Sequence, residues 1–509
     1  MSFLKLQMLF EKHISPIAGD GVVLLGGVLL TLSFAPFNNP LLAIIALIIL
    51  LLNWQHVSLG KAVWRGYLFG FGQFGTGIYW VYFGIHDWGG INEIISIGLS
   101  ALLVAYLASY SALLGWLMVG YCNKHKVIRL LFVFPAAWGL LEWFRGWFLT
   151  GFPWLQLGYS QIDTPLSGLA PITGIYGVSW LVAFSSAALV AMCYFRDWRR
   201  WGVLCLLLSL WGTAQLLRSV SWTQPLGKPF QATLIQGNIP LQRKWLPEQR
   251  DDTLQTYASI TRQHWDSSLI VWPETALPVI YNSLDPLFIN TINAEAIAHR
   301  SDILLGVIAS GERVSEFYNA MQLWGETKGT YYKRHLVPIG EYLPFQPVSN
   351  VMAELIGFPV SNFKKGADSQ DLLYAAGYYF VASICYESVF GQELLMGLPE
   401  AAYLVNITDD GWWRNSVQPY QHLQMARFRA LETGRYMLRS SATGITAFIN
   451  EKGKVVSSLA AFKRAALTDS VVPMIGNTPY MWWGDALALA IFMLSMVLAF
   501  LLVYRARSH

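Results

Sequence analysis

Eight apolar segments, with every basic cluster confined to alternate gaps between them, constrain this chain more than any other feature. The segments lie near residues 20–36, 40–54, 66–85, 94–121, 127–149, 171–195, 201–217 and 483–504. A helix needs roughly 20 apolar residues to cross a bilayer, and a helix keeps its backbone hydrogen bonds inside itself. The second and seventh segments are short for a span, so the count is open by one. Composition agrees: 54% of the residues are hydrophobic, 13% are charged, and the mean hydropathy is +0.40. That is too apolar for an ordinary soluble protein. The 22 tryptophans suit membrane interfaces, where indole rings prefer to sit.

The basic residues orient the spans. Lys5 and Lys12 precede the first, and Lys61 and Arg65 lie between the second and third. Lys124, Lys126 and Arg129 fall between the fourth and fifth; Arg196, Arg199 and Arg200 between the sixth and seventh; Arg505 and Arg507 after the last. The alternate loops, near Asn38-Asn39 and from Asp87 to Glu93, are poor in Lys and Arg. The positive-inside rule places all the basic clusters in the cytoplasm. Both termini are then inside, and the long stretch before the last span is outside. The first apolar segment lacks a small-residue cleavage site and is followed by further spans, so it reads as a span rather than a signal peptide. The formal net charge is only +4 and no basic patch stands out, which argues against a nucleic-acid partner.

The organisation expected is therefore a membrane domain over 1–221 with seven helices, an external domain over 222–475, and a last span with its tail over 476–509. The external stretch has an α/β texture. Strands are expected at Ala232–Ile235, Ser268–Trp272, Asp302–Ile308, Tyr378–Ile384 and Ala401–Ile407, and a closing hairpin at Ile445–Asn450 with Lys454–Ser458. Helices are expected at Pro247–His264, Asn290–Arg300 and Gln421–Leu438. A stretch of this length supports one substantial layered core. Two irregular pieces stand apart. The aromatic, Gly-rich loop after the fifth span carries Glu142 and Arg145 one helical turn apart, in reach of pairing. It reads either as an interfacial belt or as the floor of a lipid site. The piece Phe345–Gly366, with Val351, Met352, Leu355, Ile356, Phe358 and Phe363, reads either as a lid that touches lipid or as an amphipathic helix on the core.

Chemistry points to three polar residues, each at the end of a separate apolar run. Glu274 closes Ile270-Val271-Trp272-Pro273-Glu274, Lys333 lies in Tyr331-Tyr332-Lys333-Arg334-His335, and Cys385 follows Tyr378–Ile384. Three such residues can converge on one sheet edge. A carboxylate can take a thiol proton, and an ammonium can hold a developing oxyanion. Cys122, Cys193 and Cys205 fall at spans, so Cys385 is the only cysteine of the external stretch and a disulfide within it is ruled out. No metal-ligand cluster and no nucleotide-binding glycine loop appears, so neither metal nor cofactor is expected. His335 and His422 read as isolated structural or surface histidines.

The motifs Val-Trp-Pro-Glu at 271–274, Lys-Arg-His-Leu-Val-Pro at 333–338 with Gly340-Glu341-Tyr342, and Ile-Cys-Tyr-Glu at 384–387 resemble the Glu-Lys-Cys signature of the nitrilase (carbon–nitrogen hydrolase) superfamily. The resemblance covers 222–475 and implies an αββα sandwich there. Asn406 to Trp413 resembles the family's Asn-rich segment after the cysteine strand, departing at Asp409, where Asn is frequent. With about eight spans around it, the whole chain resembles the apolipoprotein N-acyltransferase family, through Phe144–Gln161, Gln236–Pro240 with Lys244-Trp245, and Cys385-Tyr386-Glu387.

The resemblance implies a bacterial inner-membrane enzyme with a periplasmic catalytic domain, working as a monomer. Its acyl donor would be a phospholipid, phosphatidylethanolamine. Its acceptor would be the diacylated N-terminal cysteine of an apolipoprotein. Glu274 would be the general base, Lys333 the oxyanion holder and Cys385 the nucleophile. Glu341 and Glu387 would support them, and Tyr386, Trp245 and Asn319 would line the substrate pocket. Two other readings remain: a membrane-tethered amidase with water as acceptor, and a transporter or scaffold whose external domain only binds. Few charges within the spans speak against the transporter.

Overall fold

The structure, a computed structural model, describes residues 16–120, 125–195, 197–311, 313, 316–345, 347, 351, 354 and 363–508. Lys5, Lys12, Cys122, Lys124 and Arg196 lie outside these residues, as do Met352, Leu355, Ile356 and Phe358 of the expected lid. The chain divides into two compact units. One comprises Met1–Tyr82, Glu93–Val220 and Trp483–His509; the other comprises Phe83–Asn92 and Ser221–Trp482.

In the first unit each expected apolar segment overlaps a helix. These are Pro16–Thr31, Leu41–Asn53, Leu59–Gly77, Glu93–Gly120, Phe134–Arg145, Ala170–Met192, Arg199–Leu217 and Ala486–Ser508. Among the described residues, 5 helices are long and apolar enough to cross a membrane, and Ile17–Thr31 and Leu41–Asn53 are shorter apolar helices. The helix Leu59–Gly77 is less apolar because it carries Lys61, Arg65 and Gln73. Its glycines let it lie close against Glu93–Gly120. A Cβ at Gly66 would sit 2.2 Å from the carbonyl oxygen of Ser111, and one at Gly70 would sit 2.7 Å from Ala108 Cα. Small residues four apart are how helices approach closely in lipid. These helices fit a membrane domain.

The aromatic loop after Phe134–Arg145 folds back into this unit instead of lying free. Arg145 Nη1 donates to the carbonyls of Phe152 at 3.1 Å and Trp154 at 2.6 Å. Glu142 Oε1 accepts from the Leu157 amide at 2.7 Å and from Trp138 Nε1 at 2.9 Å. Irregular backbone in an apolar medium must find such partners.

The second unit is built on two six-stranded sheets packed face to face, beside a small antiparallel pair of Gln224–Pro225 with Met474–Ile475 that is left unnumbered. Its strands are β1 (Phe230–Gln236), β2 (Leu269–Val271), β3 (Asp302–Ser310), β4 (Phe317–Trp324), β5 (Gly329–Tyr332), β6 (Leu373–Ala375), β7 (Tyr378–Ile384), β8 (Tyr403–Thr408), β9 (Tyr436–Ser441), β10 (Thr446–Ile449), β11 (Val455–Leu459) and β12 (Ala465–Val471). The first sheet runs β12-β1-β2-β3-β4-β5 and the second β11-β10-β9-β8-β7-β6. In each, three central strands are parallel and the outer ones antiparallel: β1, β2 and β3 in one, β7, β8 and β9 in the other.

Side-chain alternation builds the layers. Phe230, Ala232 and Leu234 of β1 point inward to meet Phe380, Ala382 and Ile384 of β7 and Tyr403, Val405 and Ile407 of β8. Residues of the other parity, such as Ile270, Ile303 and Leu305, pack under Arg250–Arg262 and Pro286–Ala298. Val381, Leu404 and Met437 do the same under the helix Gln418–Thr433. This is the expected αββα sandwich.

The expected strands occur, within a residue or two for most. The helix expected over Gln421–Leu438 stops at Thr433, where Gly434 turns left-handed with φ 58°, and the chain enters β9 at Tyr436. The strands β4, β5, β6, β9 and β12 add to those expected. β4, β5 and β12 carry half-buried or polar residues that blur the apolar pattern.

Candidate active site

Cys385 follows β7 directly and begins a short turn, Cys385–Val389. Its φ is +51°, in the left-handed region that a side chain with a Cβ avoids. Strain of this kind persists only where surrounding contacts over-determine it. Here they converge on the Cys385 carbonyl. Ser388 Oγ donates to it at 3.0 Å, Asn406 Nδ2 at 3.4 Å, and His422 Nε2 lies 3.2 Å away. His422 is itself buried, with Nδ1 3.1 Å from Arg439 Nη2 and 3.2 Å from Asp410 Oδ1. The expectation of an isolated histidine is therefore corrected, because folding the helix Gln418–Thr433 over β8 and β9 brings these distant residues together. His335 is not isolated either: Nδ1 lies 2.6 Å from Glu393 Oε1, and the ring stacks on Phe390 at 3.7 Å.

Glu274 lies just beyond β2, after Pro273, which cannot continue a central strand. Its Oε1 accepts from Asn319 Nδ2 at 2.7 Å and lies 3.5 Å from Lys333 Nζ. Its Oε2 accepts from the Asp409 backbone amide at 2.9 Å. Lys333 follows β5 and is held at its backbone by a 2.8 Å bond to the Asn319 carbonyl. Its Nζ donates to Glu341 Oε1 at 2.9 Å, and Glu341 Oε2 accepts from the Val337 amide at 2.7 Å. Asn319, on β4, also donates to Glu341 Oε1 at 2.9 Å, so it clamps both acids beside the lysine.

Electrostatics follow from this crowding. Burial pushes Glu274 above the usual carboxylate range; Lys333 opposes it, while Glu341 and Asp409 add to it. Burial would lower Lys333, but Glu341, Glu274 and Cys385 outweigh it and hold the amine protonated. Burial and then Glu274 push the Cys385 thiol up, with Lys333 opposing. The thiol proton is thus held on sulfur, within the electrostatic reach of Glu274 and of an ammonium that stays charged.

Glu387 sits behind Cys385. Its carboxylate accepts from the backbone amides of Ile384 (2.6 Å), Arg334 (2.5 Å) and His335 (3.1 Å), and from Tyr331 Oη at 3.0 Å. It ties the strand carrying Cys385 to the segment carrying Lys333. Of the anticipated pocket residues, Asn319 is inside the cluster. Tyr386 packs edge-on against Phe390 with ring centroids 5.0 Å apart. Trp245 is 44% exposed, with Lys244 Nζ 5.9 Å from its ring centroid. Asp410 and Arg439 were given no role by the sequence reading, Lys244 entered it only as part of a motif, and His422 only as an isolated histidine. Asp409-Asp410 at the end of an all-buried strand was the available signal, since unpaired acids are not found in such places.

Residues 26–188 match the family model of the apolipoprotein N-acyltransferase N-terminal domain, and residues 231–480 match that of carbon-nitrogen hydrolase. The chain is 48% identical over 465 residues to the apolipoprotein N-acyltransferase of Methylococcus capsulatus, covering 91% of this chain and 92% of that one. It is 37% identical over 483 residues to that of Coxiella burnetii, covering 94% and 99%. With the Nitrosomonas europaea protein of the same name it shares 38% identity over 488 residues, covering 94% and 97%. A carbon–nitrogen hydrolase sandwich joined to apolar helices, matched along nearly its whole length, places this chain in the apolipoprotein N-acyltransferase family.

Proposed function

We propose that this chain transfers an acyl chain from a membrane phospholipid to the α-amino group of an apolipoprotein's N-terminal cysteine, by way of a thioester on Cys385. The observation that carries the reading is a buried acid 3.5 Å from a buried lysine at the ends of two strands of one sheet, with a backbone-strained cysteine at the end of a central strand of the other. In the first step Glu274 takes the thiol proton and Cys385 Sγ attacks the carbonyl carbon of the sn-1 ester. Lys333 holds the oxyanion. The ester C–O bond breaks, the leaving alkoxide takes the proton from Glu274, and a lysophospholipid departs. In the second step the acceptor amine attacks the thioester and gives its proton to Glu274. The C–S bond breaks, and the sulfur takes that proton back.

Glu341 keeps Lys333 aimed at the oxyanion, and Glu387 keeps the cysteine turn and the lysine segment in register. Tyr386, Trp245 and Asn319 line the pocket. The donor is phosphatidylethanolamine and the acceptor carries a diacylglyceryl group. The enzyme is a monomer in the bacterial inner membrane, with both termini in the cytoplasm and the sandwich in the periplasm. Lipid substrates confined to one leaflet favour a catalytic unit carried on apolar helices, and the alternation of basic clusters supports the orientation.

The test is intact mass after incubating the purified protein with phosphatidylethanolamine. A hydroxylamine-labile gain of one acyl chain, absent in Cys385→Ala, is expected. No adduct and no lysophospholipid, with hydrolysis of small amides instead, would replace this reading with an amidase.

A further inference from the structure

Lys244 and Asp409 form an ion pair at 2.8 Å with side-chain exposures of 3% and 2%. Removing two charges from water is costly, so a buried pair does not by itself argue for stability. This one is completed on every side. Lys244 Nζ also donates to Thr275 Oγ1 at 2.7 Å and lies 3.5 Å from the Glu274 carbonyl oxygen. Asp409 Oδ1 accepts from Thr443 Oγ1 at 3.1 Å and from the Gly411 amide at 3.1 Å.

What the pair grips is Glu274, from two directions. On one side is Thr275, the next residue in the chain, whose φ of +44° is strained for a β-branched side chain. Its hydroxyl is tied to Lys244. On the other side is the Asp409 amide, which holds Glu274 Oε2 at 2.9 Å. Lys244 thus anchors both the turn that carries the carboxylate and the residue whose N–H aims it.

We propose that Lys244 and Asp409 are a positioning pair for Glu274, fixing the direction in which its carboxylate faces the Cys385 thiol. This rests on the reading of Glu274 as the general base. The pair does not touch substrate and transfers no proton. With Lys244 opposite, the Asp409 carboxylate completes the pair. The charged and titratable groups around Glu274 are Lys333, Glu341, Asp409 and Cys385 at its carboxylate, and Lys244 at its carbonyl. Breaking the pair from either end therefore alters its titration in opposite senses.

The experiment measures single-turnover acylation of the full-length protein by phosphatidylethanolamine in mixed micelles from pH 5 to 9. Misplacing the base is expected to slow acylation about 100-fold at saturating lipid in both Lys244→Met and Asp409→Asn, with little change in the half-saturating concentration. Lys244→Met leaves a buried carboxylate near Glu274 and should raise the acid limb of the profile by about one pH unit. Asp409→Asn leaves a buried cation and should lower it by about one. The double variant has no unpaired charge, so it folds if either single variant does not. It should stay slow with its limb near the wild-type position. A double variant running at the wild-type rate, or single variants with unmoved limbs, overturns the proposal. Glu274→Gln, run alongside, separates the two claims. If it acylates normally, the base assignment itself falls. If it is inactive while the double variant is normal, only the positioning pair falls.

Discussion

Glu142 with Arg145 in the first unit and Glu274 with Lys333 in the second are both buried acid–base sets, yet they are satisfied in different ways. Arg145 donates to two loop carbonyls, and Glu142 accepts from a loop amide and an indole. Glu274 and Lys333 face other ionisable side chains, with Glu341, Asp409 and Cys385 among the groups that set their charge. Charges satisfied by neutral donors and acceptors, here loop backbone and an indole, hold a shape. Charges set against other titratable groups, beside a thiol, hold a protonation state. Burial alone therefore does not mark a candidate catalytic charge; the identity of its partners does.

The strongest test of this contrast is Glu274→Gln, which removes the proposed proton acceptor and keeps the shape. Acyl-enzyme formation should fall by about 1,000-fold or more in a single-turnover assay. A fall of less than about tenfold would place the base elsewhere. Arg145→Met should behave in the opposite way. It strands two buried carbonyls and should lower stability by about 3 kcal/mol, seen as a lower thermal midpoint in detergent. The molecules still folded should keep the wild-type pH profile. A shifted profile would erase the distinction between the two sets.

A smaller effect concerns Glu387, whose carboxyl is pushed by burial from 4.5 up to about 6, against the pull of its backbone amide donors. The folded protein then holds this proton more tightly than the unfolded chain. The contribution to stability is full below about pH 4.5 and is lost as pH rises through about 6. It amounts to about 2 kcal/mol. Denaturant unfolding between pH 4 and 7 should show this slope, and Glu387→Gln should flatten it. The smallest effect is Tyr331→Phe, which removes one donor from Glu387 and should cost about 1 kcal/mol. A large loss of acylation in Tyr331→Phe without loss of stability would move this tyrosine from the supporting framework to the chemistry.

The apolar segments were legible because the solvent they need is uniform. A run of apolar residues becomes a helix in lipid whatever its neighbours are, and each expected segment overlaps one. Strands β7 and β8 were legible for a related reason: they are largely buried on both faces and read as mostly apolar runs. Strands β4, β5 and β12 were not, because their alternation is interrupted by residues that tertiary contacts bury or expose. The end of the helix Gln418–Thr433 was misplaced because Met437 and Leu438 continue its apolar pattern. Only the left-handed Gly434 marks the break.

Sequence alone determined that Glu274 and Cys385 each end an apolar run, and the order of their motifs with that of Lys333 was enough to indicate the chemistry. It also determined the apolar helices, since hydropathy is a local property. Tertiary structure alone decided which acid serves which group. Glu341 is on the lysine, while Glu387 is on the backbone that joins the cysteine turn to the lysine segment. It alone paired Lys244 with Asp409 across 165 positions of chain, and set His422 and Asn406 on the carbonyl of a strained cysteine. The physical reason is that a hydrogen bond depends on direction and on distances of about 3 Å. Residue spacing along a chain carries neither once two sheets have folded face to face.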